Sequence, residues 1–324
     1  MSRYSRQEIL PQVGPAGQAA IRAARVLVIG AGGLAAPVLQ YLVGAGIGHL
    51  TLVDPDTVSL SNLHRQTLFR MDDIGQPKVD AAAATLRQLN DDCQIDTVQA
   101  ALDPANAAAL IAAHTLVLDC ADSFAVSYIL SDACIVAGVP LISASTLGFT
   151  GYVGGFCAGA PSLRAVFPDL PDRAASCATA GVMGPVVGLI GAAQAQMALA
   201  VLIGQTPSPL GQMLQFDMAS FRASGFRFDT APELDADFRF IAPAQIGPAD
   251  LVIDLRDTQE APSPVIPTAL RMTNAQIADQ AFPDTGRIVF ACRSGLRAWQ
   301  AASTLRAKRG GEISLIACGD TPEI

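Results

Sequence analysis

The sequence predicts an α/β fold: a doubly wound, mostly parallel Rossmann-like sheet with an antiparallel extension, followed by a second, smaller α/β domain. Short apolar runs alternate with helical patterns between residues 26 and 145, and Gly-rich alternating runs follow residue 148. A second strand–helix alternation begins near residue 251. Such alternation is typical of a parallel sheet with helices on both faces. The 324 residues also allow about two domains.

The elements are predicted in chain order from these patterns. We expect strands at 26–30, 50–54, 115–119 and 140–145. Helices are expected after the Gly-rich turn to about residue 41 and at 78–89 and 124–137. Antiparallel strands should begin at residue 148, and a closing strand pair should lie at 214–216 and 221–228. Residues 181–204 are apolar enough for a membrane span, but they contain one Pro, two Gln and five Gly and lack flanking basic residues. We therefore expect a buried core helix that begins after Pro185.

Composition changes between residues 229 and 250, where Asp, Ala and Pro accumulate. This change predicts a first domain over residues 1–230, a linker over 231–245 and a second domain over 246–324. Within the second domain we expect strands at the LVIDLRD run, at 287–291 and at 313–317, with a helix from about residue 298.

Overall composition excludes several classes of protein. Hydrophobic residues make up 51% of the chain, so wholesale disorder is excluded. The net charge of −8 and the isoelectric point near 4.8 argue against a nucleic-acid or anionic-membrane binder. Seven scattered cysteines without a CxxC pair, and an N-terminus without an apolar signal region, predict reduced thiols in a cytoplasmic protein.

A Gly-rich turn between the first strand and helix predicts a nucleotide site. Gly30, Gly32 and Gly33 would let a phosphate approach the backbone at the N-terminus of a helix. Asp54 ends the second strand, about 20 residues later, where an acid suits a ribose hydroxyl pair. These features alone do not distinguish ATP from NAD.

Cationic residues after the second strand favour a triphosphate. Arg65 and Lys78 could neutralise its negative charge, which NAD would not require. Lys78 is one of only two lysines in the chain, and it follows a Gly-Gln-Pro turn, so a role in the site outweighs a place on the solvated surface. Asp122, just past the third predicted strand, could hold Mg²⁺.

Several motifs run in order: RYSRQ (3–7), GAGGL (30–34), DPDTV (54–58), SNLHRQ (61–66), GQPKV (75–79), DCAD (119–122) and CATAGVMGP (177–185). Over about residues 1–228 they resemble the ThiF/MoeB/HesA family, bacterial relatives of ubiquitin-activating enzymes. The resemblance implies an adenylyltransferase that uses ATP to adenylate the C-terminal glycine of a ThiS- or MoaD-like sulfur carrier.

Matching positions imply the roles of individual residues. Asn62 and Arg65 would contact phosphates, Lys78 would clamp the triphosphate, and Asp122 would hold Mg²⁺. Arg6 would come from the partner subunit, which implies a homodimer. Ser123 stands where the family often has Asn. The implied nucleotide-binding set is Gly30, Gly32, Gly33, Asp54, Asp56, Ser61, Asn62, Arg65, Gln66, Lys78, Asp122 and Ser123.

The sequence also departs from the zinc-binding members of this family. Those members carry two CxxC pairs, but the first pair would fall on Ser162 and Ala165, and residues 216–228 contain no cysteine. Because neither residue supplies a thiolate, we predict no zinc site.

Two cysteines are candidates for sulfur chemistry. Cys177 precedes the long apolar helix, and the family resemblance implies a thioester or disulfide with the carrier; a purely structural role is equally open. Cys292 lies between a strand and a helix, where backbone N–H groups, the helix dipole and Arg293 and Arg297 should favour a thiolate or persulfide. The candidate persulfide loop is Cys292, Arg293, Ser294, Gly295, Leu296 and Arg297.

With the LVIDLRD and VIP segments, this loop resembles a rhodanese-like sulfurtransferase domain over about residues 240–324. The combined prediction is an enzyme that adenylates a sulfur carrier and then thiolates it, in thiamine, molybdopterin or tRNA-thiolation metabolism. A cysteine desulfurase or thiosulfate would donate the sulfur. Two alternatives remain: a non-catalytic carrier-binding scaffold and, less favoured, an NAD-dependent oxidoreductase.

Overall fold

The computed structural model describes residues 3–170, 181–234, 238–283, 285–308 and 310–319. Over these residues the chain forms an eight-stranded sheet and then a five-stranded sheet. The strands of the first sheet are β1 (Arg25–Ile29), β2 (His49–Val53), β3 (Gln94–Val98), β4 (Leu116–Asp119), β5 (Leu141–Leu147), β6 (Thr150–Phe156), β7 (Gln212–Asp217) and β8 (Arg222–Arg227). Their spatial order is β3-β2-β1-β4-β5-β6-β7-β8.

The first sheet is parallel from β3 to β5, and β6, β7 and β8 extend it in antiparallel fashion. The predicted fold class is therefore confirmed. The strand order reverses between β1 and β4, and ligands of such sheets bind beyond the carboxyl ends of the strands at this reversal.

Helices cover both faces of this sheet. They are α1 (Ser5–Glu8), α2 (Gly14–Ala23), α3 (Ala35–Gly44), α4 (Lys78–Leu89), α5 (Ala107–Ala112), α6 (Phe124–Ala137), α7 (Leu163–Val166) and α8 (Gly184–Leu202). Val26 and Val28 of β1 pack with α3, α4 and α8, whereas Leu27 and Ile29 pack with α5 and α6. Because both faces are buried, the strand reads as a continuous apolar run.

Helix α8 is the segment whose composition also suits a membrane span. Among the described helices it alone is long and apolar enough to cross a bilayer, and half of its most apolar stretch is buried inside the protein. The helix begins at Gly184, so Pro185 lies within its first turn, whereas we expected the helix to begin after this proline. At Gly191 a Cβ atom would lie 2.4 Å from the carbonyl oxygen of Leu34, so this glycine is what allows α3 and α8 to pack closely.

The second sheet consists of β9 (Arg239–Phe240), β10 (Leu251–Asp254), β11 (Leu270–Arg271), β12 (Ile288–Cys292) and β13 (Ile313–Ala317), in the order β11-β10-β12-β13-β9. All its pairings are parallel. Two helices, α9 (Asn274–Asp279) and α10 (Leu296–Arg306), accompany it.

The boundary of this second unit differs from the prediction. We expected a linker over 231–245, but Arg239 and Phe240 pair with β13, and Phe238 is buried. The second unit therefore begins before residue 246. The two-residue strand was missed because so short a segment carries no periodic pattern.

Candidate functional site

The Gly-rich turn after β1 forms a cradle of bare backbone. Gly30 has a φ of +93°, and a Cβ atom there would lie 2.8 Å from the carbonyl carbon of Cys120. A Cβ atom at Gly33 would lie 2.7 Å from Val187, whereas only the Gln66 amide lies within 4 Å of the Cβ position of Gly32. No side chain caps the N-terminus of α3. This geometry fits a phosphate group at the N-terminus of a helix.

Asp54 holds this turn in place. Its Oδ2 accepts a hydrogen bond from the Ala31 amide at 2.7 Å, and its Oδ1 accepts one from the Asp56 amide at 2.8 Å. Burial raises the pKa of the Asp54 carboxyl, and nearby Lys78 opposes that shift. Each carboxylate oxygen can accept a second hydrogen bond, so Asp54 retains the acceptor capacity that the expected contact with a ribose hydroxyl requires.

Lys78 lies beside the same turn, at the start of α4. Its Nζ is 2.7 Å from Oδ2 of Asp56, and its backbone amide donates to the Asp56 carbonyl oxygen. The Lys78 side chain is 7% exposed, whereas that of Asp56 is 63% exposed. A buried ammonium requires an anionic partner, and a phosphate oxygen could take the place of the exposed carboxylate.

The SNLHRQ motif forms a 3₁₀ turn (Leu60–Asn62) and the segment after it, next to the cradle. Cγ of Arg65 lies 3.5 Å from the Cβ position of Gly33. Its Nη1 donates to the Ser61 carbonyl at 3.1 Å and lies 2.8 Å from Nε2 of His64. The carbonyl oxygen of Asn62 accepts hydrogen bonds from the amides of Arg65 and of the next residue.

Gln66 completes this side of the cradle. Its side chain is buried, and its Oε1 has no hydrogen-bond partner among the described residues. The other end of the amide lies 3.6 Å from the Cβ position of Gly32. The unpaired Oε1 can only accept hydrogen bonds, so a ligand hydroxyl or amine, and not a phosphate oxygen, would satisfy it.

Asp122 and Ser123 follow β4, at the same edge of the sheet. Asp122 is exposed, and Ser123 is at the N-terminus of α6, where its side chain does not cap the helix. An exposed carboxylate beside a phosphate cradle fits a Mg²⁺ ligand.

Sequence reasoning missed the buried network beneath Asp122. Asp119 is fully buried and accepts hydrogen bonds from the hydroxyls of Ser127 at 2.6 Å and Ser143 at 2.8 Å. Burial raises its pKa to about 6. Nε2 of Gln194 donates to the carbonyl oxygens of Asp119 at 2.7 Å and Ile142 at 3.0 Å. The sequence signal for this network is Gln194 within an apolar helix, because a buried amide normally has hydrogen-bond partners.

Arg6 lies far from its own chain's cradle. Its neighbour Tyr4 donates to Asp92 at 2.9 Å, and Gln7 donates to the carbonyl of Ala45 at 3.0 Å. Asp92 and Ala45 shortly precede β3 and β2, so they lie at the edge where the parallel strands begin. The glycine cradle lies at the opposite edge.

The candidate persulfide loop, residues 292–297, joins β12 to α10 as predicted. Sγ of Cys292 accepts hydrogen bonds from the amides of Gly295 at 3.1 Å and Ala298 at 3.4 Å. Arg297 forms an ion pair with Glu260 and donates to the Leu255 carbonyl at 2.9 Å.

The sequence predicts that the loop favours the thiolate form of Cys292, and the structure shows that this prediction is wrong. Burial raises the pKa of Cys292 and outweighs the opposing effects of the amides and Arg297, since the sulfur has no exposed surface. Arg293 and Ser294 are exposed, and Leu296 is half-buried at the start of α10.

Of the remaining six cysteines, five lie within the described residues. Cys177 lies outside the described residues. Burial raises the pKa of Cys93, Cys120, Cys134, Cys157 and Cys318. Ser162 caps α7, and its hydroxyl donates to Glu233 at 2.7 Å. In the described ranges, no group of three or more His, Cys, Asp or Glu could hold a metal ion.

Comparison with known proteins gives consistent matches for the first part of the chain. Residues 4–235 match the ThiF family. SAMP-activating enzyme E1 of Haloferax volcanii is 38% identical over 234 residues, which are 72% of this chain and 85% of that protein. Molybdopterin-synthase adenylyltransferase of Escherichia coli is 44% identical over 219 residues, which are 67% of this chain and 88% of that protein.

Adenylyltransferase and sulfurtransferase MOCS3 of Bos taurus is 46% identical over 218 residues, or 66% of this chain and 48% of that protein. The chain thus spans about half the length of the relatives named for both activities. Among solved structures, E. coli MccB with ATP has a TM-score of 0.64 at 19% identity, covering 73% of this chain and 74% of that chain. This likeness shows the fold.

Proposed function

The chain belongs to the ThiF family, and from that premise we propose that it uses ATP to adenylate the C-terminal glycine of a ubiquitin-like sulfur carrier. The observation that carries this proposal is the buried ammonium of Lys78, 2.7 Å from Asp56 and beside the glycine cradle. A dinucleotide needs little beyond the cradle, whereas a triphosphate calls for cations. The adenylyltransferases among the named relatives support the same reaction.

In the proposed reaction, an oxygen of the carrier's terminal carboxylate attacks the α-phosphorus of ATP. The bond from that phosphorus to the bridging oxygen of the pyrophosphate group breaks, and pyrophosphate leaves with the electron pair. The product is an acyl-adenylate. Lys78 and Arg65 stabilise charge on the phosphates, Asn62 orients them, and the amides at the start of α3 bind them.

Two further residues complete the proposed site. Asp122 would hold Mg²⁺, which neutralises phosphate charge when bound. Arg6 would reach the phosphates of the partner subunit's site in a homodimer. Its place at the opposite edge of its own sheet supports this assignment, since β1 alone separates the two edges by about 16 Å.

We propose that the second unit is rhodanese-like and supplies the sulfur. The outer sulfur of a Cys292 persulfide attacks the carbonyl carbon of the acyl-adenylate, and AMP leaves. The carrier is then joined to Cys292 through an acyl disulfide. A second thiol attacks the Cys292 sulfur, which releases the carrier thiocarboxylate and leaves Cys292 in a disulfide. Cys177 is a candidate for that thiol, or for a covalent bond to the carrier.

The proposed setting is cytoplasmic sulfur metabolism, with thiamine, molybdopterin and tRNA thiolation as the candidate pathways. A cysteine desulfurase or thiosulfate would form the persulfide. The proposed enzyme needs no zinc. Ser162 lies at a position where the zinc-binding members carry cysteine, and its amide and hydroxyl donate to Glu233, which follows β8. This contact joins the two segments without a metal.

Carrier-dependent exchange of ATP with pyrophosphate tests the adenylation step. Exchange with at least one of a panel of ThiS- and MoaD-like carriers is expected. Its absence with every carrier would favour the scaffold alternative. Thermal stabilisation by NAD and not by MgATP would instead favour an oxidoreductase.

A further inference from the structure

An aromatic side chain of the second unit packs against the first unit. Trp299 of α10 is the only tryptophan in the chain and is buried. Its ring centroid lies 5.5 Å from that of Tyr128 on α6. The guanidinium carbon of Arg164 lies 4.5 Å from the Tyr128 ring centroid and 5.8 Å from that of Trp299. We call these three side chains the latch.

Hydrogen bonds within the first unit position its two side chains of the latch, Tyr128 and Arg164. Arg164 is buried and donates to both carboxylate oxygens of Asp132, at 2.6 and 2.8 Å. The Tyr128 hydroxyl donates to the Phe167 carbonyl oxygen at 2.7 Å. A preformed cationic and aromatic surface of this kind binds an indole ring without further ordering.

The same packing covers one side of the persulfide loop, at Gly295. Gly295 has a φ of +85°, and a Cβ atom there would lie 2.8 Å from Phe240 and 3.3 Å from Cβ of Ala125. Ala125 lies in the first turn of α6, three residues after Asp122. Gly295 is therefore buried between Phe240 and α6, and Cys292 has no exposed surface, whereas Arg293 and Ser294 stay exposed.

We propose that this packing is a closed resting arrangement in which the first unit shields Cys292, and that the second unit must leave α6 before the sulfur can react. Group transfer needs direct contact between the sulfur and its donor or acceptor, which complete burial prevents. The inference rests on the proposed sulfur-transfer role of Cys292. The accessibility of its thiol can nevertheless be measured without any sulfur-transfer assay.

Two readouts on the full chain test the latch. Trp299 fluorescence reports the packing directly, because no other tryptophan contributes. The rate of Cys292 alkylation by iodoacetamide, followed by peptide mass spectrometry, reports access to the thiol. Arg164→Ala is expected to shift Trp299 emission to the red and to speed alkylation about tenfold, since the cation–π contacts of a buried guanidinium and its ion pair with Asp132 are lost together.

A matched control removes a similar ion pair elsewhere. Arg227 donates to both carboxylate oxygens of Asp229 at 2.6 and 2.7 Å, and both residues are exposed. Arg227→Ala should leave emission and alkylation as in the wild type.

A second variant separates opening from unfolding. Ala125→Glu acts from α6 and leaves the core of the second unit unchanged, yet its longer side chain would collide with Gly295. It should reproduce the faster alkylation with an unchanged circular dichroism spectrum. The proposal is overturned if Cys292 reacts as fast in the wild type as in urea-unfolded protein. It is also overturned if alkylation stays slow in variants whose emission has shifted, or if neither readout changes.

Failure of the latch and failure of the proposed function are distinguishable. If the latch variants behave as expected but Cys292→Ser keeps thiosulfate sulfurtransfer, the sulfur role is wrong while the closed arrangement stands.

Discussion

The Lys78 ammonium lies 2.7 Å from the Asp56 carboxylate, and only the carboxylate faces solvent. This asymmetry suits an exchange of partners. An arriving phosphate can displace the exposed Asp56 side chain, while the ammonium stays in place and is paired in both states. An anionic partner therefore offsets the desolvation free energy of the Lys78 ammonium both before and after nucleotide binding.

Lys78→Met should reduce carrier-dependent ATP–pyrophosphate exchange by about 100-fold or more, because a preorganised charge on the phosphates is lost. Lys308, the only other lysine, provides a matched control: its ammonium donates to the Ala278 carbonyl in the second unit. Lys308→Met should leave exchange unchanged. Equal effects of the two substitutions would remove Lys78 from the proposed site.

The sequence predicted much of this arrangement because the relevant signals are local. Helices 78–89 and 124–137 were predicted at their observed bounds, since apolar periodicity and a preceding Pro or Ser define them. The partner of Lys78 was not predicted. Its contact with Asp56 spans 22 residues and depends on the pairing of Thr57 with Pro77, which no local pattern encodes. The Trp299 contact was missed for the same reason.

Complementation between two inactive variants should test whether Arg6 acts across a dimer. In a mixed dimer of Arg6→Ala and Lys78→Met chains, one of the two sites would contain both Arg6 and Lys78. Random mixing should restore about a quarter of wild-type exchange, because half of the dimers are mixed and each holds one intact site. If the mixture shows no more exchange than the sum of the activities of the two separate variants, Arg6 does not act in the partner subunit's site.

Gln194→Leu should lower the free energy of unfolding by about 2 kcal/mol or more, because the carbonyl oxygens of Asp119 and Ile142 lose their buried donor. Gln196 lies on the same helix but is exposed. Gln196→Leu should change the free energy by less than about 0.5 kcal/mol in a parallel urea titration. A comparable loss in both variants would mean that helix propensity, and not the buried amide, decides the result.

Asp119 should make stability depend on pH. Its folded pKa is about 6 against an ordinary value of 3.8, so the folded state binds more protons between these pH values. Its contribution to stability is therefore present at low pH and lost as pH rises through 6, by about 1.4 kcal/mol between pH 5 and pH 8. Asp119→Asn should remove this component from urea titrations. Asp72→Asn, which changes an exposed carboxylate that does not contribute to the shift in the pKa of Asp119, should retain it.

Cys292→Ser should abolish sulfur transfer from thiosulfate to cyanide while leaving carrier-dependent ATP–pyrophosphate exchange intact. The reason is that the thiol carries the sulfur, and its hydrogen-bond partners within the described residues, Gly295 and Ala298, belong to its own loop and helix. Cys318 is the control: its amide donates to the Cys292 carbonyl at 2.9 Å, and its side chain packs with the apolar cluster around Val252. Cys318→Ser should retain both activities. The substitution changes a single atom of the second unit. Loss of both activities in Cys292→Ser would therefore mean that the two units act as one site.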